Sequence, residues 1–139
     1  MAEAGGPTKE QCAAVIEGYR TAWERQDAVM MAELFAPDGV FIDPGFAACE
    51  GREAVLSWYR PALDNFVDPD IDYVRVAVDP PMAMAEWVSK LTRKSDGNRY
   101  AFHGISVFEV APNGKVLVQR DYYDADSSAH FDTMTGLDD

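Results

Sequence analysis

Three side chains in this sequence combine acid/base chemistry with an apolar setting: Tyr19, Asp43 and Asp121. Asp43 closes the apolar run Val40-Phe41-Ile42 and precedes Pro44, so its carboxylate either caps a turn or faces a cavity as a proton acceptor. Tyr19 falls in the middle of an apolar helical stripe, where a buried phenol keeps its hydroxyl bonded to one partner or turns it into a cavity as a donor. Asp121 belongs to a segment whose two faces are Leu117, Gln119, Asp121, Tyr123 and Val116, Val118, Arg120, Tyr122. Both faces mix apolar and polar residues, so alternation alone does not say which points inward.

Other chemistries find little support. Phosphate loops of the GxGxxG or GxxxxGK[ST] type and the GxSxG nucleophile turn are absent. His103 and His130 are far apart and form no HExxH or HxxxH pair, and Cys12 and Cys49 lack metal-ligand spacing. The histidines are read as surface or interface residues, the cysteines as small reduced thiols, and no metal or cofactor is expected.

Composition narrows the partners. The 139 residues carry 24 Asp+Glu against 12 Lys+Arg, a formal charge of −12, which argues against nucleic acid because phosphate binding needs a basic face. At 47% hydrophobic and 12% aromatic residues the chain is globular in composition. Charges interrupt every apolar stretch well short of the roughly twenty residues that cross a bilayer, and the start MAEAGGPTK has no secretory pattern. A cytoplasmic protein with no membrane partner is the expectation. Five of the 24 acids follow Tyr123 with no Lys or Arg among them, which predicts one domain over residues 1–125 and a loose acidic tail over 126–139.

The elements that must position the three side chains follow from periodicity. Thr8 and Gln11 form a capping box, and Cys12, Val15, Ile16, Tyr19, Ala22 and Trp23 make the buried stripe of a first helix. Asp27 caps a short second helix through Val29, Met30, Leu34 and Phe35, which Pro37 ends. A third helix starts at Gly51 and runs through Val55, Trp58, Tyr59, Ala62, Leu63 and Phe66, with Pro61 marking a kink or early break. Four strands follow, over Ile71–Val78, Met82–Thr92, Arg99–Val110 and Val116–Tyr123, joined by Asp-Pro-Pro, Asp-Gly and Pro-Asn-Gly turns. Helices first and antiparallel strands after is an α+β order, with helices on one face of a single sheet.

The first helix with Tyr19, then ELFAPDGVFIDP, EGREAVLSWY and GISVFEVAPNGKVLVQRDYYD resemble the nuclear transport factor 2-like superfamily, in its ketosteroid isomerase-like and SnoaL-type cyclase branches. The resemblance spans about residues 10–125 and implies an NTF2-like cone, in which a curved, mostly antiparallel sheet wraps the helices around an apolar pocket. It matches Asp43 to the isomerases' general base, Tyr19 to their oxyanion-hole tyrosine, and Tyr59 to the tyrosine that supports it through a hydrogen bond. Ser106 stands where those enzymes carry a protonated aspartic acid. Asp121 matches the acid/base aspartate of the cyclases and of limonene epoxide hydrolases. The hydrolases' R-x-D is broken here, where the comparable stretch reads Glu86-Trp87-Val88-Ser89-Lys90.

In that register Ser106, Phe108, Gln119, Asp121 and Tyr123 point inward with Trp23, Phe41 and Tyr59 to line the substrate site, while His103 and Arg120 face out. The resemblance also implies a homodimer through the outer sheet face. The function expected is an enzyme that moves a proton next to a carbonyl of an apolar small molecule, polycyclic ones included, with Asp43 or Asp121 as base and Tyr19 as oxyanion donor. The alternatives are a non-catalytic ligand-binding or assembly module of the same fold, and an epoxide hydrolase or dehydratase using Asp121.

Overall fold

The computed structural model describes residues 5–44 and 47–123. The expected acidic tail, His130 and Gly45 of the Asp43-Pro44-Gly45 turn lie outside them. Helix α1 (Lys9–Arg25) begins at the Thr8 cap, where Gln11 N donates to Thr8 Oγ1 at 3.0 Å and Thr8 N donates to Gln11 Oε1 at 2.8 Å. Cys12, Val15, Ile16, Tyr19, Ala22 and Trp23 are all buried, as the stripe predicts. The helix ends at Gln26 in the left-handed conformation, and the Gln26 amide ties that end to Leu63 O at 3.0 Å and to Phe66 O.

Helix α2 (Ala28–Glu33) is capped by Asp27 and is shorter than expected. Phe35 is not helical but opens strand β1 (Phe35–Ile42), which runs straight through Pro37. The strand tolerates the proline because its ladder to the neighbouring strand is interrupted between Phe35 and Val40, so no paired N–H is missed there. After the two-residue β2 (Cys49–Glu50), helix α3 (Arg52–Asp64) carries Pro61 in its last turn without breaking. Phe66 is likewise not the end of that helix. It opens β3 (Phe66–Asp79), five residues ahead of the expected start, and the strand passes Pro69 through a second irregularity at which Asp68 has φ 54°. β3 is an edge strand, where a proline costs least.

Strands β4 (Met82–Arg93), β5 (Arg99–Val110) and β6 (Val116–Tyr123) fall where expected. The six strands form one curved sheet in the order β2-β1-β6-β5-β4-β3, antiparallel except for β1 beside β6. The class is α+β, with helices preceding a curved, open, mostly antiparallel sheet. α1 packs across β3 and β4, α3 packs on β1, and the Tyr73 hydroxyl pins β3 to α1 by donating to Ile16 O at 2.6 Å.

Two details of the sheet set up the site. The parallel pairing matches Phe41 to Gln119 and Ile42 to Arg120, which brings the end of β1, where Asp43 follows, alongside Asp121 on β6. A β-bulge around Leu117 shifts the β5–β6 ladder, since Val110 pairs with Val116 but Glu109 with Val118. Val116 and Gln119 are therefore both buried while Leu117 is exposed, and the expected grouping of Leu117 with Gln119 and Asp121 is corrected.

Candidate active site

A cavity opens between the concave face of the sheet and helices α1 and α3. Its walls are Tyr19, Trp23, Asp43, Trp58, Tyr59, Ile71, Trp87, Ser89, Leu91, Phe102, Asp121 and Tyr123. The inner cavity is small, about 40 Å³, and with its mouth the free space comes to about 470 Å³. The inner part takes a few waters or one small polar group and its carbon neighbours. A larger substrate must extend into the mouth.

β6 supplies the central group. Asp121 is 8% exposed, and two hydrogen bonds converge on one of its oxygens: Ser106 Oγ donates to Oδ1 at 2.6 Å and Gln119 Nε2 donates to the same atom at 2.9 Å. Ser106 sits directly across the ladder from Asp121 and itself accepts the Trp87 Nε1–H at 2.9 Å. Trp87 reaches it because Gly104, its partner on β5, has no side chain: a Cβ there would meet the indole at 2.7 Å. Burial raises the Asp121 carboxyl to about 7, the hydrogen bonds from Ser106 and Gln119 offset part of that rise, and the nearby charge of Asp43 adds to it. Asp121 is thus poised to hold or release a proton near neutral pH.

Asp43 is 4% exposed and accepts a hydrogen bond from the Tyr123 hydroxyl at 2.5 Å. Tyr19 projects from α1 with its ring edge-on to Phe108, centroids 5.6 Å apart. Burial holds its phenol well above the ordinary tyrosine range, and the charge of Asp121 adds to the rise. Ser106 and the Trp23 indole lie near enough to counter this in part, without making hydrogen bonds of ordinary geometry to it. The phenol therefore stays a neutral donor.

The structure brings Asp43, Asp121, Tyr19, Trp23, Tyr59 and Tyr123 to the cavity wall. Four other expected lining residues stand behind it. Ser106 and Gln119 hold Asp121, Phe108 backs Tyr19, and Phe41 stacks on Tyr59 at 5.2 Å. The expected Tyr59–Tyr19 hydrogen bond is replaced, because the Tyr59 oxygen accepts from Gln119 Nε2 at 3.4 Å. Sequence reasoning missed Trp58, Ile71, Trp87, Ser89, Leu91 and Phe102 as wall residues. The β4 part was readable, since Ala83, Ala85, Trp87, Ser89 and Leu91 alternate inward with period two.

His103 and Arg120 are exposed, as the register implies, and no arginine lines the cavity among the described residues. Among those residues, no group of three or more His, Cys, Asp or Glu is placed to hold a metal, and no helix is long and apolar enough to cross a membrane. Cys12 and Cys49 are buried free thiols, and burial raises both.

Solved structures share this architecture. A protein of ketosteroid isomerase-like fold from Catenulispora acidiphila, in complex with trimethylamine, superposes with a TM-score of 0.74 at 18% identity, over 88% of this chain and 92% of that one. An LEH-like epoxide hydrolase from M. tuberculosis gives 0.73 at 19% identity, over 92% and 93%. SalBIII, an epoxide hydrolase/cyclase-like enzyme with a role in pyran ring formation in the polyether salinomycin, gives 0.74 at 15%, over 85% and 94%. At these identities the likeness is one of fold. No curated protein is similar enough in sequence to count as a match. The family model for the SnoaL-like domain matches residues 16–119, three quarters of the chain and every element from mid-α1 into β6, and the protein belongs to the SnoaL-like domain family of the NTF2-like fold.

Proposed function

We propose that this protein is an acid/base enzyme that transfers a proton next to a carbonyl of an apolar small molecule, in the manner of an isomerase or a cyclase. The observation that carries the reading is Asp121: a buried carboxyl poised near pH 7, with Oδ1 accepting from Ser106 and Gln119 and Oδ2 without a hydrogen bond among the described residues, on the wall of a mostly apolar cavity that a second carboxylate shares.

In this mechanism Asp43 takes the proton from the carbon beside the carbonyl, and its hydrogen bond from Tyr123 aims the carboxylate. Tyr19 donates to the oxygen that gains charge, a contribution of about 3 kcal/mol if it acts as other oxyanion donors do. Asp121, protonated, delivers its proton to the substrate. The two carboxyl groups then exchange one proton with solvent and return to their starting states. The small inner cavity favours a substrate whose reacting end is compact, with any further rings lying in the mouth. The lack of an arginine on the described wall weighs against the epoxide hydrolase alternative.

Assembly forms a second part of the proposal. The outer sheet face exposes Met84, Ile105 and Tyr122, with Ile105 directly opposite Tyr122 on the adjoining strand. The Arg75–Glu86 pair lies on the same side at 3.2 Å, so the patch joins apolar area to balanced charge, which suits a second copy of the same surface.

The test is exchange of the α-hydrogens of cyclohexanone in D₂O, followed by proton NMR. The protein should accelerate exchange, and Asp43→Asn and Asp121→Asn should each reduce it by about 10²-fold or more. Exchange at the buffer rate, or full activity in both variants, refutes the mechanism and leaves the ligand-binding alternative.

A further inference from the structure

Position 106 is where a second oxyanion donor would be looked for, and here it holds a serine whose one donor is already used. Its hydroxyl proton goes to Asp121 Oδ1 at 2.6 Å and its oxygen receives the Trp87 indole at 2.9 Å. Ser106 is fully buried and does not reach the cavity wall. Whatever accompanies Tyr19 in holding an acceptor oxygen must come from elsewhere.

Trp23 has a donor to spare. The residue is 7% exposed, its Nε1 is buried, and that N–H has no hydrogen-bond partner among the described residues. A buried N–H left unmade is costly, and such an atom at the wall of a cavity points to a ligand that satisfies it. Trp23 lines the cavity and lies one helical turn after Tyr19 on the same face of α1, with its indole close to the Tyr19 hydroxyl. Both rings are held in place, Trp23 edge-on to Tyr59 with centroids 6.1 Å apart and Tyr19 edge-on to Phe108.

We infer that the Trp23 N–H and the Tyr19 O–H form a two-donor site on α1 that binds one carbonyl or enolate oxygen of the ligand. The inference rests on the proposed proton-transfer reading for its catalytic meaning, but the binding site itself stands on the orphaned donor. The site takes neutral ligands with an exposed C=O and disfavours their hydrocarbon analogues. It also fixes the direction of binding, with the oxygen at α1 and the adjacent carbon turned toward the carboxyl groups.

The experiment uses the full chain labelled with ¹⁵N-tryptophan and follows the indole N–H signals of Trp23, Trp58 and Trp87, assigned by Trp23→Phe, Trp58→Phe and Trp87→Phe. Cyclohexanone should move the Trp23 signal downfield, whereas methylenecyclohexane, of the same shape with no acceptor, should not. Trp23→Phe should weaken cyclohexanone binding about threefold to tenfold and leave methylenecyclohexane binding within twofold. If Trp23→Phe does not fold, Trp58→Phe and Trp87→Phe identify the Trp23 signal by elimination and the wild-type comparison decides. Equal response to both probes, or no binding of cyclohexanone, overturns the inference. A Trp23 shift without hydrogen exchange would remove the proton-transfer reading alone, and exchange without the shift would remove the two-donor site alone.

Discussion

Ser106 and Asp121 face each other across the β5–β6 ladder, and the serine hydroxyl donates to Asp121 Oδ1 at 2.6 Å. The Trp87 indole donates to that serine in turn, so a chain of donors runs from β4 through β5 to β6 and ends on one carboxyl oxygen. Each donor in such a chain polarises the next. The arrangement anchors Oδ1 and holds the carboxyl in place on the cavity wall.

Removing the serine hydroxyl should therefore raise the Asp121 carboxyl beyond about 7, because the Ser106 hydrogen bond, together with that of Gln119, lowers it. In Ser106→Ala, ¹³C NMR titration of the aspartate carboxyls should place the Asp121 midpoint higher than in the wild type. The alkaline limb of cyclohexanone exchange should move in the same direction. An unchanged or lower midpoint contradicts the hydrogen-bond assignment.

Asp121 also makes stability depend on pH in a defined direction. Its folded carboxyl titrates near 7 against an ordinary value of 3.8, so between those values the native state binds more protons than the unfolded chain. Its contribution is unpenalised below pH 4 and is lost progressively as pH rises through 7. Asp121→Asn keeps an oxygen for Ser106 and Gln119 while removing the charge. Urea unfolding should find the variant at or near wild-type stability at pH 4, already somewhat more stable at pH 5, and most stabilised at pH 8, by up to about 4 kcal/mol for a shift of roughly three units. A variant that is less stable relative to the wild type at pH 8 than at pH 4 would reverse the sign and exclude the assignment.

Gly104 leaves the space across which the Trp87 ring lies. A Cβ there would approach the indole at 2.7 Å and Tyr122 O at 2.7 Å, so Gly104→Ala must displace the ring or the strand. The expected cost is about 1–3 kcal/mol by urea denaturation, with loss of the Trp87–Ser106 hydrogen bond seen as faster indole N–H exchange. Wild-type stability with an unchanged indole exchange rate would show that the approach is not limiting.

Assembly through the outer face is tested by charge. Ile105→Glu places a carboxylate opposite Tyr122 on the outer face of the sheet. Sedimentation equilibrium should give a dimer mass for the wild type and a monomer mass for the variant. A monomeric wild type, or a dimer that survives the change, removes this face as the interface.

Local pattern made much of the scaffold legible. The capping box at Thr8, the stripe from Cys12 to Trp23 and the three hairpin turns are short-range signals, and each lies where periodicity and turn chemistry place it. The errors fall where tertiary packing overrode local preference. Phe35 and Phe66 both continue a helical pattern yet begin strands, because each is taken up by sheet pairing, Phe35 with Val116 and Phe66 with Arg93. The orientation of β6 could not be read by alternation, since the bulge at Leu117 shifts the period by one residue just before Gln119 and Asp121.

By itself the sequence determined which side chains are available: a tyrosine on an apolar helical stripe, an aspartate at the end of an apolar run, and another on a strand with mixed faces. Tertiary structure decided that they meet. The parallel register of β1 against β6 joins segments nearly eighty residues apart, and no local propensity encodes a pairing of that range. Closing the cavity then removed water from Asp121, and that desolvation, more than any neighbour in sequence, turned an ordinary carboxylate into a group that titrates near neutral pH.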